Sequence, residues 1–186
     1  VKIIRWEKNK GKRAGMAETI RSGKEEIILF IDSDSFIEKD SVRKLVRYFI
    51  EPNVGAVAGH AYVYNANKNI LTRMQSTRYY IAFKAYKSAE SIFGTVTCCS
   101  GCCSAYRRSA VLPILDKWEQ QRFLGVRCTY GDDRSLTNAL LERGLQTLYA
   151  PDVISYTIVP ETFKQFMKQQ LRWKKSWFRE SLLASR

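Results

Sequence analysis

The stretch EEIILFIDSDS, residues 25–35, constrains this chain more than any other. Residues 27–31 are apolar without a break, and acids bound the run on both sides. A half-buried strand alternates apolar and polar residues. A short run that is apolar on both faces fits an inner strand of a mostly parallel sheet covered from both sides. In such α/β sheets ligands sit beyond the carboxyl ends of the strands. The acids of DSDS stand at such an end.

The rest of the chain alternates in the same sense. Residues 2–5, KIIR, read as the end of a short strand, and residues 14–22 as a helix. Asp40 is placed to cap a helix carrying Val42, Leu45, Val46 and Phe49, which Pro52 ends. VGAVAGHAYVY is a second strand, and residues 70–93 follow a long helical period. TVTCCSGCCSAYRR is extended, and residues 109–115 form a short helix. Strands are expected at 146–150 and 153–156, then a helix over 161–178. The class is α/β with a central sheet.

The 186 residues make one domain or most of one, and the 45% hydrophobic content is enough for a core. No apolar run approaches the ~18 residues that span a bilayer. The five cysteines are an odd number, four of them within CCSGCC, which is a poor disulfide framework and suits a reducing compartment. Small buried hydrophobes account for them better than a zinc site, because no second pair follows at ligand spacing. The net charge of +13 is concentrated at the ends, with eight basic residues in 1–24 and seven in 160–186. Such patches suit an anionic partner: nucleotide phosphates, nucleic acid or an acidic membrane face.

Four constellations carry chemistry. Asp32 and Asp34 are two residues apart after a buried strand, so both carboxylates point one way and suit a hard cation, Mg²⁺ or Mn²⁺. The plain alternative is a polar turn that ends the strand. NKGKRAG sets Lys10, Lys12 and Arg13 around a glycine before a helix, which suits an anion or is a charged loop. YGDDRSLTNALLERG sets Asp132 and Asp133 at a helix start, since Leu136, Ala139, Leu140 and Arg143 continue at helical spacing to Gly144. In a polymerase with two metals a GDD would turn a hairpin, so the helix counts against that reading. QQLRW puts Gln169, Arg172 and Trp173 largely off the apolar face formed by Phe163, Phe166, Met167, Leu171 and Phe178. Arg172 can fork onto a diphosphate and Trp173 can stack on a sugar. The same helix also reads as an amphipathic element lying on a membrane surface.

In order, K-G-K-R, D-S-D, S-G-x-x-x-x-Y-R, G-D-D-R-x-L-T-N and Q-x-x-R-W resemble the processive, inverting family 2 glycosyltransferases over nearly the whole chain. The likeness is strongest to hyaluronan synthases (residues 123–138 and 168–180) and to chitooligosaccharide or chitin synthases (CCSGCCSAYRRSAVL and TIVPET). It implies a Rossmann-like fold of the glycosyltransferase A type and hyaluronan synthase-like transfer of GlcNAc, and with it GlcA, from UDP-sugars to a growing polysaccharide; the alternative it implies is a chitin or chitooligosaccharide synthase using UDP-GlcNAc only. Lys12, Arg13, Asp32, Asp34, Gln169, Arg172 and Trp173 would hold the UDP-sugar, with Asp32 and Asp34 on the metal. Ser100, Gly101, Tyr106, Arg107 and Trp173 would form the acceptor site. Asp133 would be the general base and Asp132 would help position it.

One departure stands out: Cys102 occupies the place after S-G where the family usually has proline. The resemblance further implies that 1–186 is a partial catalytic domain on the cytoplasmic face of the cell membrane. The first strand and its uridine-contacting acid would lie upstream. Residues 161–186 would form an interfacial helix leading to a transmembrane segment. The expected partners are a UDP-sugar, an oligosaccharide acceptor and the membrane, with no nucleic acid. The other two readings are a basic nucleic-acid-binding module and a membrane-surface module without catalysis.

Overall fold

The computed structural model describes residues 3–184. The strands among the described residues are β1 (Ile27–Phe30), β2 (Ser35–Ile37), β3 (Val54–Val63), β4 (Ser104–Arg107), β5 (Arg122–Phe123), β6 (Val126–Arg127) and β7 (Gln146–Thr157). The helices are α1 (Lys12–Ser22), α2 (Ser41–Arg47), α3 (Ile70–Ile81), α4 (Ser88–Ile92), α5 (Arg108–Val111), α6 (Leu115–Glu119), α7 (Asp132–Leu141) and α8 (Phe163–Ala184). The main sheet has the order β1-β4-β3-β7-β2. Its centre is the long parallel pair β3–β7, and β4, β1 and β2 add antiparallel pairings around it. The sheet is therefore mixed around a parallel core. Helices cover both faces, one with α2 and the other with α1, α3 and α5–α7.

The apolar run 27–31 does face two cores. Ile28 is buried and Phe30 packs in one cluster, while Ile27 and Leu29 pack against the other. Its place differs from the inner position expected, because among the described residues β1 pairs only with β4 and is an edge strand. Ile3 and Ile4 are exposed and outside any strand, contrary to the reading of KIIR; Val1 and Lys2 lie outside the described residues. Asp40 occupies the N-cap position of α2 without capping it, since its carboxylate pairs with Lys44 at 2.7 Å instead. Leu45 and Phe49 are buried, whereas Val42 and Val46 face outward.

The two strands expected at 146–150 and 153–156 are one. Pro151 and Asp152 lie where the β3–β7 register jumps from Gly59↔Ala150 to His60↔Ile154, so the chain bulges without leaving the sheet. The long helix over 70–93 opens with a capping box. Asn69 Oδ1 accepts from the Thr72 N–H at 2.9 Å, and the Asn69 N–H donates to Thr72 Oγ1 at 3.0 Å. Residues Ala82–Lys87 form a π-helical turn, which adds a residue and swings Phe83 and Lys87 inward. In α7, Leu136 and Leu140 are one turn apart and fully buried, each contributing about 1.5–3 kcal/mol of burial.

Candidate active site

Asp32 and Asp34 follow the end of β1, and Ile158 follows Thr157 at the end of β7. The loop before β4 closes against them: the Asp32 N–H donates to the Gly101 carbonyl at 2.8 Å, and the Ile158 N–H to the Asp34 carbonyl at 3.3 Å. These strand ends open into a cleft of about 540 Å³ that also takes in Asp132 and Asp133. Lys12, Ser100, Gly101, Gln169, Arg172 and Trp173 line it too. The acid pair at 32 and 34 and the acid at 133, about a hundred residues away, thus share one cavity.

Asp133 sits in the first turn of α7. Gly131 precedes it in the left-handed conformation, φ +75°, as the N-cap residue. The turn is held from outside. Thr137 Oγ1 donates to the Asp133 carbonyl at 2.7 Å and accepts the Cys99 N–H at 3.0 Å, tying the CCSG loop to the helix. Asp133 Oδ1 accepts the Arg134 N–H at 2.8 Å, and the half-buried side chain faces the cleft.

Lys12 forms an ion pair with Asp32. Burial alone would lower the lysine pKa. The hydrogen bond and charge of Asp32, with Asp133 and Asp132 behind it, outweigh burial and hold it above its ordinary value. Lys12 therefore stands as a cation among the acids. Gly101 is required where it stands: a Cβ there would lie 2.6 Å from Asp32 Oδ2. Ser100 Oγ and Gln169 Oε1 are buried polar atoms of the cleft without a protein partner. Lys87 donates to the Cys98 carbonyl from beneath, over the ring of Phe83.

Three expected site residues are placed elsewhere. Arg13 is 5% exposed and turns away from the cleft. Its guanidinium donates to Asp132 Oδ1 at 2.7 Å, the Trp118 carbonyl at 2.9 Å, Gln121 Oε1 at 2.9 Å and Ser135 Oγ at 3.0 Å. This leaves it no free face for a phosphate. Tyr106 lies inside the sheet with its hydroxyl on the Cys99 carbonyl at 3.1 Å. Arg107 is at the opposite end of β4, bonded to Glu26 and to the carbonyls of Phe49, Glu51 and Val54. Neither reaches the cleft.

Sequence reasoning missed Arg179, Glu180 and Ser176 of α8, which pack on the GDD turn. Arg179 Nη2 donates to the Tyr130 carbonyl at 3.0 Å and Nε to Glu180 Oε1 at 2.6 Å. A Cβ on Gly131 would fall 1.8 Å from Ser176 Oγ, so helix and turn touch. The signal was present: 169, 172, 173, 176, 179 and 180 recur every three to four residues along one stripe.

The four cysteines of CCSGCC and Cys128 are free thiols. Burial pushes Cys98, Cys99 and Cys102 up to about 12, so these thiols are neutral at pH 7. Among the described residues no three His, Cys, Asp or Glu side chains form a ready metal cage. Asp32 and Asp34 are carboxylates that line the cleft, Asp32 beside Lys12 and Asp34 exposed with the Ser35 hydroxyl near it.

A parallel core with strand-end acids and a helix-start acid above one cleft is an arrangement of the glycosyltransferase A-type fold. The solved mannosyltransferase PcManGT from Pyrobaculum calidifontis, in complex with GDP-Man and Mn²⁺, shares that fold. The TM-score is 0.66 at 19% identity, over 98% of this chain and 46% of that one. Residues 1–176 match the family described as Glycosyltransferase like family 2, and the chain belongs to it. It is 42% identical over 184 residues to an N-acetylglucosaminyltransferase of Azorhizobium caulinodans, covering 99% of this chain and 46% of that protein. An N-acetylglucosaminyltransferase of Rhizobium meliloti is 42% identical over 176 residues, 95% of this chain and 41% of that protein. The chain thus spans less than half the length of these relatives.

Proposed function

We propose that this chain belongs to the catalytic domain of an inverting glycosyltransferase. It moves GlcNAc from UDP-GlcNAc to the end of a growing oligosaccharide, in the manner of a chitooligosaccharide synthase. The observation that carries this is the meeting of Asp32, Asp34 and Asp133 in one cleft, with Gln169, Arg172 and Trp173 along its wall. The names of the relatives support GlcNAc as the sugar.

In this reading Asp133 takes the proton from an acceptor hydroxyl. The freed oxygen attacks C1 of the sugar as the C1–O bond to the diphosphate breaks. UDP leaves with the electron pair and needs no proton, so a single base suffices. A carboxylate is a weak base in water, and its effectiveness rests on placement against the hydroxyl. Lys12 and Arg172 take the diphosphate charge. Asp32 and Asp34 would hold Mg²⁺ or Mn²⁺, a donor pair that suits a hard cation completed by diphosphate oxygens and water. That cation supplies charge to offset the leaving group. Ser100, Gly101 and Trp173 border the acceptor. Arg13 acts on Asp132 and not on phosphate, and Tyr106 and Arg107 have no part.

We further propose the cytoplasmic face of the cell membrane as its place; the outer face of α8 supports only contact with an anionic lipid surface. Phe163, Met167, Leu171, Phe178 and Leu182 are exposed along one stripe, flanked by Lys164, Lys168 and Lys175. No helix among the described residues is long and apolar enough to cross a membrane. Salt-sensitive flotation with anionic liposomes tests that placement; its absence refutes it.

The donor is tested by giving the full-length protein labelled UDP-GlcNAc and UDP-GlcA, singly and together. Incorporation from UDP-GlcNAc alone is expected. Incorporation only when both are present means a hyaluronan-type product and overturns the chitooligosaccharide reading.

A further inference from the structure

The turn that aims Asp133 is enclosed by a closed ring of polar contacts. Arg179 donates to the Tyr130 carbonyl and to Glu180 Oε1. The same Glu180 oxygen accepts Gln121 Nε2 at 3.3 Å. Gln121 Oε1 accepts Arg13 Nη1 at 2.9 Å, and Arg13 Nε donates to Asp132 Oδ1 at 2.7 Å. Asp132 lies two residues after Tyr130, which closes the ring. The four charged members are 4–7% exposed.

Two buried cations and two buried anions balance in charge, but buried ion pairs are weak sources of net stability. Each member donates or accepts in a fixed direction, so the ring specifies geometry. It also joins two parts of the site. Gln169, Arg172 and Trp173 are on the same continuous helix as Arg179. Ser176, between them, touches Gly131 so closely that no side chain fits there.

We propose that Arg179, with Glu180, is a positioning residue for the base. It locks the first turn of α7 to α8, so that Asp133 is aimed only when the helix bearing Gln169, Arg172 and Trp173 is seated. The inference rests on the transferase reading above. Removing the arginine alone would orphan Glu180 in the interior, so the test variant carries Arg179→Met and Glu180→Gln together. Arg179→Lys keeps the charge and loses the fork.

Both are made in the full-length protein and compared with wild type in kcat, KM for UDP-GlcNAc and backbone hydrogen exchange. The double variant is expected to lose about tenfold or more in kcat with KM within about twofold, because misplacement harms the transition state more than donor binding. Exchange should quicken in residues 130–136 and stay unchanged in β3 and β7. Arg179→Lys should recover part of kcat. Unchanged kcat and exchange overturn the proposal. So does a joint change of kcat and KM with faster exchange throughout, which marks a merely structural role. A wild type that transfers no sugar refutes the transferase reading instead, while residues 130–136 still report on the ring by exchange.

Discussion

A methyl group at residue 101 has no room. It would lie 2.6 Å from Asp32 Oδ2 and 2.8 Å from Oδ1. Gly101→Ala should therefore displace the Asp32 carboxylate and weaken UDP affinity about tenfold, roughly 1.4 kcal/mol. Calorimetric titration of UDP into the full-length protein checks this, and unchanged affinity contradicts it. His60 is a residue of a different kind. It is fully buried, with Nδ1 against the Tyr149 hydroxyl at 2.6 Å and rings of Tyr62 and Phe83 around it. Burial first, then the charge of Lys84, pushes its pKa from 6.5 down to about 4. The unfolded chain then binds the proton more readily. The stability that neutral His60 contributes is complete above pH 6.5 and is lost as pH falls towards 4. His60→Phe should reduce the loss of urea stability between pH 7 and pH 5, and an equal loss in both proteins would refute the role.

At the scale of elements, legibility followed periodicity. The GDD helix was readable because Leu136 and Leu140 repeat at helical spacing and Gly144, φ +75°, ends it. Beside Lys10 and Lys12, Arg13 reads as part of an anion-binding loop, and the resemblance puts it on UDP; the structure buries it on Asp132 instead. The helix begins at Lys12, and from there Arg13 shares the buried stripe of Met16, Ala17 and Ile20. Tyr106 and Arg107 were assigned by motif, but strand β4 carries them down the sheet and away from the loop that bears Ser100. The β7 bulge was hidden because Pro151 and Asp152 look like a turn, and only the pairing with β3 shows that the strand continues. At the α7–α8 junction the stripe on α8 marks a packed face, but not what it packs on, because Gly131 and Ser176 are 45 residues apart. Gly131→Ala should cost about 2 kcal/mol through the strained φ and the clash with Ser176, lowering Tm by about 4–8 °C. A thermal scan with Tm unchanged would show that α8 does not rest on the turn.

For the molecule as a whole, a +13 chain sets Asp32, Asp34, Asp132 and Asp133 around one cleft. Asp32 meets Lys12, Asp132 meets Arg13, and Asp34 and Asp133 face open space between β1, the CCSG loop and α8. Under the proposed function, that division would leave two acids for a cation, one to take a proton and one to support it. It predicts that binding and chemistry separate on substitution. The most direct test is Asp133→Asn in the full-length protein, with transfer from labelled UDP-GlcNAc measured beside UDP affinity. Transfer should fall by about 10²–10⁴, the span of general-base catalysis, while affinity stays within about twofold. Turnover near the wild-type rate would place the base elsewhere and contradict the account.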